Sequence, residues 1–214
     1  MSRYGKKKLD ENLMKRDFAN YADMKEKKIK QEGMEKMGKT LGIDIYTDIF
    51  ITYFFYKCNA KSMEEITEKE YITGLTNFNC SDLKGVKNNI ISIKEELLDL
   101  YSDDFKNFYN FLYKFNVGNA KGISYEVVEV YFNDLFAPQF PITKDILTFL
   151  KEDKKEAKLT KDEWECFLDF FLNKANTFPN DYNCAEFYPI LIDDFYRAYC
   201  KKHGIKIKEE EEYY

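Results

Sequence analysis

The segment FKNFYNFLYKF places Phe105, Phe108, Tyr109, Leu112 and Phe115 at the i, i+3, i+4 spacing of a single helix face. A strand would send Phe108 and Tyr109 to opposite sides, whereas a helix gathers all five rings and chains onto one stripe that must be covered. Similar stripes recur. SYEVVEVYFNDLF follows a serine suited to capping and stops before Pro138, and ITKDILTFLKED offers Thr143 as a cap with Ile146, Leu147 and Leu150 as its buried stripe. DIYTDIFITYFFYK also suits a buried strand by composition. Its length and Asp44, a plausible cap, favour a helix that is apolar almost all round and central to a core. Two starts echo one another: ITEKEY and LTKDEW share an apolar residue, Thr, Glu three residues on, and an aromatic. In each, Thr67 or Thr160 caps the N–H three residues later, Glu70 or Glu163 reaches back, and Ile66/Tyr71 or Leu159/Trp164 close the turn as a staple. The expected fold class is all-α.

Composition narrows the chemistry more than the fold. The chain has 214 residues, enough for one domain or two subdomains, and 19 Phe with 17 Tyr point to a core built of rings. No apolar run approaches the ~20 residues that span a bilayer, and no signal peptide opens the chain. Five cysteines, Cys58, Cys80, Cys166, Cys184 and Cys200, are odd in number and form no CxxC pair, so they read as reduced thiols of a cytoplasmic or nuclear protein. A net charge of −5 and the absence of a basic, aromatic-interleaved stripe argue against nucleic acid as a partner. The sole histidine, His203, stands in the polar stretch KKHGIKIKEEEEYY, which removes histidine-based triads and His-rich zinc sites from consideration. Residues 1–28 read as a charged, weakly ordered arm, a frayed or weakly docked helix, and 201–214 as a charged tail.

YPILIDDFYRAY sets the sharpest question, because Asp193 and Asp194 stand side by side in an apolar and aromatic run. They read as a catalytic dyad, a metal site, a satisfied pair in the core or an acidic knob for a basic partner. Adjacent helical residues point ~100° apart, which disfavours joint aim at one reacting atom. With Leu191, Ile192, Phe195 and Ala198 marking the buried side, Asp193 is expected toward solvent one turn from Arg197, and Asp194 at the boundary. A plain solvated face, or an Asp193–Arg197 pair of ~0.3–0.5 kcal/mol, is the simplest account. Calcium has no support in the loop YKCNAKSMEEIT, which contains Asn59 and no aspartate. Asp162, in the first turn after Thr160, is accounted for by the helix dipole alone.

LTKDEWECFLDF followed by YPILIDDF resembles the C-terminal signature of the defective-in-cullin-neddylation proteins, the PONY domain. The resemblance continues upstream through FKNFYNFLYKF, AKGISYEVVEVYFNDLF and EITEKEYITGLTNFNCSDLKGVK, and covers residues 29–200. It implies an EF-hand-like, calcium-free half at 29–100 packed on a C-terminal, cullin-binding half at 101–200. It also implies a scaffold-type ligase component with no catalytic residue, metal or cofactor of its own. Such a protein holds a cullin and the N-acetylated neddylation conjugating enzyme together and promotes transfer by proximity. An acidic patch for the cullin C-terminal winged-helix domain is carried over to Asp162, Phe187 and Asp193; the family's central alanine falls on Phe187 when YNCAEFYP is aligned without gaps, and on Ala185 if the alignment shifts by two residues. An apolar pocket for the acetylated methionine of the conjugating enzyme is carried over to Met34, Phe50, Tyr53, Ile66 and Phe115, with Asp134 at a position usually held by leucine.

A monomer is the default expectation, on which the sequence itself is silent. No ubiquitin-binding module is expected ahead of the domain, and MSRYG lacks the glycine that would accept a myristoyl chain, so membrane recruitment is not expected. The competing reading from another class is an EF-hand-like helical adaptor with no role in neddylation.

Overall fold

The computed structural model describes residues 9–153, 158–184 and 188–207. They form eleven helices and one two-stranded pairing, and the chain divides into two compact units between Phe111 and Leu112. None of the described helices is long and apolar enough to cross a membrane.

In the first unit, α1 (Glu11–Ala19) and α2 (Gln31–Leu41) flank one loop, and α3 (Phe50–Cys58) and α4 (Glu68–Asn77) flank another. The loops are joined by β1 (Lys28–Ile29) and β2 (Ile66–Thr67), antiparallel with Lys28 opposite Thr67 and Ile29 opposite Ile66. Lys28 reinforces this pairing with an ion pair to Glu65. Gly33 is required where α2 meets the end of α1, since a Cβ there would stand 2.1 Å from the Tyr21 carbonyl oxygen. The core is aromatic: Phe50, Phe54, Tyr71 and Phe108 are fully buried, and Phe54 stacks on Phe78 with centroids 5.6 Å apart. α5 (Leu83–Asn88) and α6 (Ile90–Leu97) complete the unit.

Residues 11–19 fall within the stretch expected to be a weakly docked arm, yet α1 buries Met14, Asp17 and Phe18 at helical spacing. The signal is masked because Asp17 counts as polar; its carboxylate is satisfied inside by the Tyr71 hydroxyl at 2.6 Å and the Leu83 N–H at 2.8 Å. α3 begins later than Asp44 would dictate. Asp44 accepts from the Tyr46 N–H and closes a turn, Asp48 accepts from the Phe50 N–H just ahead of the helix, and the N-cap residue itself is Ile49, which offers no side-chain cap.

α7 (Asp103–Val117) carries the aromatic stripe and contains the boundary between the units. The second unit continues with α8 (Tyr125–Leu135), α9 (Thr143–Asp153), α10 (Lys161–Asn173) and α11 (Ile190–His203). Its core surrounds Trp164, which is fully buried against Tyr113, Tyr131 and Phe132, and continues through Phe136 and Phe171, stacked at 4.0 Å. Thr143 is buried and donates to the Phe140 carbonyl at 2.7 Å, the reverse of the acceptor role expected of a cap.

Both predicted capping boxes are formed. Thr67 Oγ accepts from the Glu70 N–H while the Glu70 carboxylate accepts from the Thr67 N–H, and Thr160 and Glu163 do the same. The α10 start is held further by Ile123 and Leu159, whose backbones exchange two 2.9 Å hydrogen bonds. Thr160→Ala is expected to lower stability by about 1 kcal/mol. Denaturant unfolding followed by Trp164 fluorescence reports on this same turn, and an unmoved midpoint would show the box to be redundant with the Ile123–Leu159 bridge.

Candidate functional site

The α10 start fixes Asp162. Trp164 and Phe167 point the helix inward, which leaves Asp162 exposed in the first turn, where the helix dipole favours a negative charge. Among the described residues it has no ion-pair or hydrogen-bond partner. Seven residues later, Asp169 lies on nearly the same helix face, about 10 Å along the axis. Cys166 lies between them, half-buried, and its thiol is pushed up by burial and then by the negative charges of Asp162 and Asp169. The outward face of α10 is therefore acidic, and among the described residues Glu165 is its one member paired to a cation, Lys161 at 3.3 Å.

α11 supplies the second acid. Leu191, Ile192, Phe195 and Tyr196 bury its inner side. Asp193 is half-buried and accepts from the Tyr182 hydroxyl at 2.7 Å. Tyr182 is itself buried, with its ring against Tyr196 at 4.8 Å and Tyr188 at 5.8 Å. Tyr188 in turn donates to Asp169 at 2.5 Å, and Asn173 donates to the other oxygen of the same carboxylate at 2.7 Å. A continuous run of contacts thus leads from the α10 face carrying Asp162 and Asp169, through two stacked tyrosines, to Asp193.

The neighbouring Asp194 takes a different direction. Arg197 lies 3.7 Å from Asp194, so the expected Asp193–Arg197 pair is replaced by an i, i+3 contact. Asp194 also lines a groove of about 660 Å³ between α9 and α11 with Phe149, Ala198 and Tyr199. The two adjacent acids serve separate surroundings, as the ~100° step between helical neighbours requires. Phe187 lies outside the described residues. Asp169, Tyr182 and Tyr188 were absent from the sequence expectations. Asp169 was accessible through its seven-residue spacing from Asp162, whereas the Tyr182–Asp193 bond joins a loop to a helix and has no periodic signature.

Four residues of the apolar set, Met34, Phe50, Tyr53 and Ile66, are buried in the first unit at 6% exposure or less. Phe50 and Tyr53 touch, with centroids 6.4 Å apart, and Ile66 lies in the β pairing. The Tyr53 hydroxyl donates to Asp104, which also accepts from Tyr56 and, through both oxygens, from Lys57. Burial opposes ionisation of Asp104, but the bonds from Tyr53 and Lys57 hold its carboxyl below the usual range. Phe115 lies half-buried in the second unit, as does Asp134 on α8. Among the described residues no group of three or more His, Cys, Asp or Glu side chains is arranged to hold a metal ion.

Comparison with known proteins adds the family. A family model described as cullin binding matches residues 85–198, more than half of the chain, and this span contains all of α10 and most of α11. DCN1-like protein 3 of Xenopus tropicalis and of Homo sapiens are each 27% identical to the chain over 183 residues, covering 83% of it. DCN1-like protein 5 of Bos taurus is 25% identical over 165 residues, covering 77% of the chain and 68% of that relative. The chain spans 59% of the length of the DCN1-like protein 3 relatives. By the extent and content of the matched span, the chain belongs to the cullin-binding family.

Proposed function

We propose that this chain is a scaffold-type component of cullin neddylation, binding a cullin through the acidic face of α10 and α11. The observation that carries this reading is the cullin-binding match over the span holding Asp162 and Asp193, of which Asp162 is exposed and, among the described residues, without a cation. A cationic surface, as expected of the cullin C-terminal winged-helix domain, complements such a face, and charge complementarity favours fast and selective encounter. The second partner is the N-acetylated neddylation conjugating enzyme. Its acetyl-methionine is assigned to the apolar set Met34, Phe50, Tyr53 and Ile66 of the first unit, whose side chains must shift to admit it. The paired helix–loop–helix segments joined by β1 and β2 support an EF-hand-like arrangement for that unit.

The chain contributes orientation and not bond chemistry. Holding two reactants in attacking geometry supplies several kcal/mol of barrier reduction without a catalytic side chain. Purified chain added to charged conjugating enzyme and a cullin C-terminal fragment is expected to accelerate modifier transfer to the cullin. No acceleration at saturating chain would overturn the proposal. A peptide copying the conjugating enzyme's N-terminus is expected to bind at least ~10-fold more tightly when acetylated, because an apolar seat rejects a charged amine. Equal affinities for the two peptides would refute the seat while leaving the acidic face untouched.

A further inference from the structure

Resting on the acidic-face reading above, we infer that Tyr182 is a positioning residue whose hydroxyl holds the Asp193 carboxylate in place for its cationic partner. Asp193 sits on the first turn of α11, and its Oδ1 accepts the 2.7 Å bond from Tyr182; among the described residues, Oδ2 has no hydrogen-bond donor. One oxygen is thus anchored and the other keeps its lone pairs for an incoming ammonium or guanidinium.

The anchor is rigid. Tyr182 is 1% exposed, and its ring meets Tyr196, Tyr188, Phe178 and Phe170 at centroid distances from 4.8 to 6.4 Å. Burial first, and then the neighbouring Asp193 carboxylate, push the phenol well above its ordinary pKa, so it remains a donor at neutral pH. Tyr188, stacked on Tyr182, gives Asp169 the same treatment from the other side, with its hydroxyl on Oδ2. One aromatic pair therefore orients two carboxylates on two helices. An unanchored aspartate would lose rotamer freedom when a partner binds; one already fixed loses little, and affinity rises accordingly.

A purely structural alternative exists, because a buried phenol needs an acceptor whether or not Asp193 binds anything. The two are separated by a double-mutant cycle on the full chain, using calorimetry with a cullin C-terminal winged-helix fragment well below the melting transition of every variant. Tyr182→Phe keeps the ring and removes the hydroxyl; it is expected to weaken binding by about three- to tenfold. Asp193→Asn is expected to weaken it more. Adding Tyr182→Phe to Asp193→Asn is expected to produce no further loss, because the hydroxyl acts through that carboxylate. If Tyr182→Phe leaves affinity unchanged while Asp193→Asn weakens it, the positioning role is wrong and the acidic face stands. Equal losses from Tyr182→Phe in both backgrounds would also overturn it, assigning the effect to packing. If Asp193→Asn has no effect, the acidic-face reading itself fails at α11.

Discussion

Asp162→Lys is expected to weaken binding of a cullin C-terminal fragment by roughly 30-fold or more, from a loss of about 2–5 kcal/mol when an interface charge pair becomes a like-charge contact. The fold should survive the change. Asp162 is exposed, and among the described residues it holds no hydrogen bond or ion pair that the substitution would break. What the folded chain loses is a favourable charge at a helix N-terminus, worth about 0.3–1 kcal/mol, while the Thr160–Glu163 box stays intact. Asp193→Lys is expected to weaken binding similarly but is a less clean probe, since it also strips the Tyr182 hydroxyl of its acceptor. Calorimetry at two salt concentrations provides the check. A genuine charge-pair loss shrinks as ionic strength rises, because exposed charges are screened over about 8–10 Å near physiological salt. An unchanged affinity for Asp162→Lys at low salt would remove Asp162 from the interface.

How far the sequence reveals this molecule depends on how local each determinant is. Both capping boxes and the helical aromatic stripe of α7 were legible because all their partners lie within one or two helical turns. Nearly as local, but ambiguous, were the helix starts with competing acids. Asp44 and Asp48 both precede α3, yet each closes a two-residue turn and the N-cap position falls to Ile49, which has no capping side chain. Thr143 has the right identity for a cap, but burial against the Phe140 carbonyl turns its hydroxyl into a donor.

The acidic face shows the same gradient. Asp162 follows from the α10 start, whereas the surroundings of Asp193 depend on Tyr182, eleven residues earlier on the connecting loop. The expected pairing with Arg197 assumed that local helix neighbours would decide; a buried tyrosine outcompetes an exposed guanidinium because its hydroxyl must find an acceptor. Asp104 repeats the lesson in the first unit. Its placement on α7 is readable from sequence, but its three donors come from α3, almost fifty residues away.

Asp17→Ala is expected to cost about 2–6 kcal/mol of folding stability, the largest stability effect of any single change proposed for this chain. The Asp17 side chain accepts from two buried donors at once, the Tyr71 hydroxyl and the Leu83 N–H, and Tyr71 and Leu83 are themselves fully buried. Alanine would orphan both donors, each at about 1–3 kcal/mol. Tyr71→Phe removes one donor and leaves Asp17 its bond to Leu83, so its cost should be nearer 1 kcal/mol. The ordering matters more than either value. A domain of ordinary stability has about 5–15 kcal/mol in all, so Asp17→Ala should move the urea midpoint visibly while Tyr71→Phe moves it little. Amide exchange gives a local reading of the same network: the Leu83 N–H should lose protection in Asp17→Ala and retain it in Tyr71→Phe. Equal, small shifts for both variants would mean that water reaches the freed donors, and that α1 is held by Met14 and Phe18 alone.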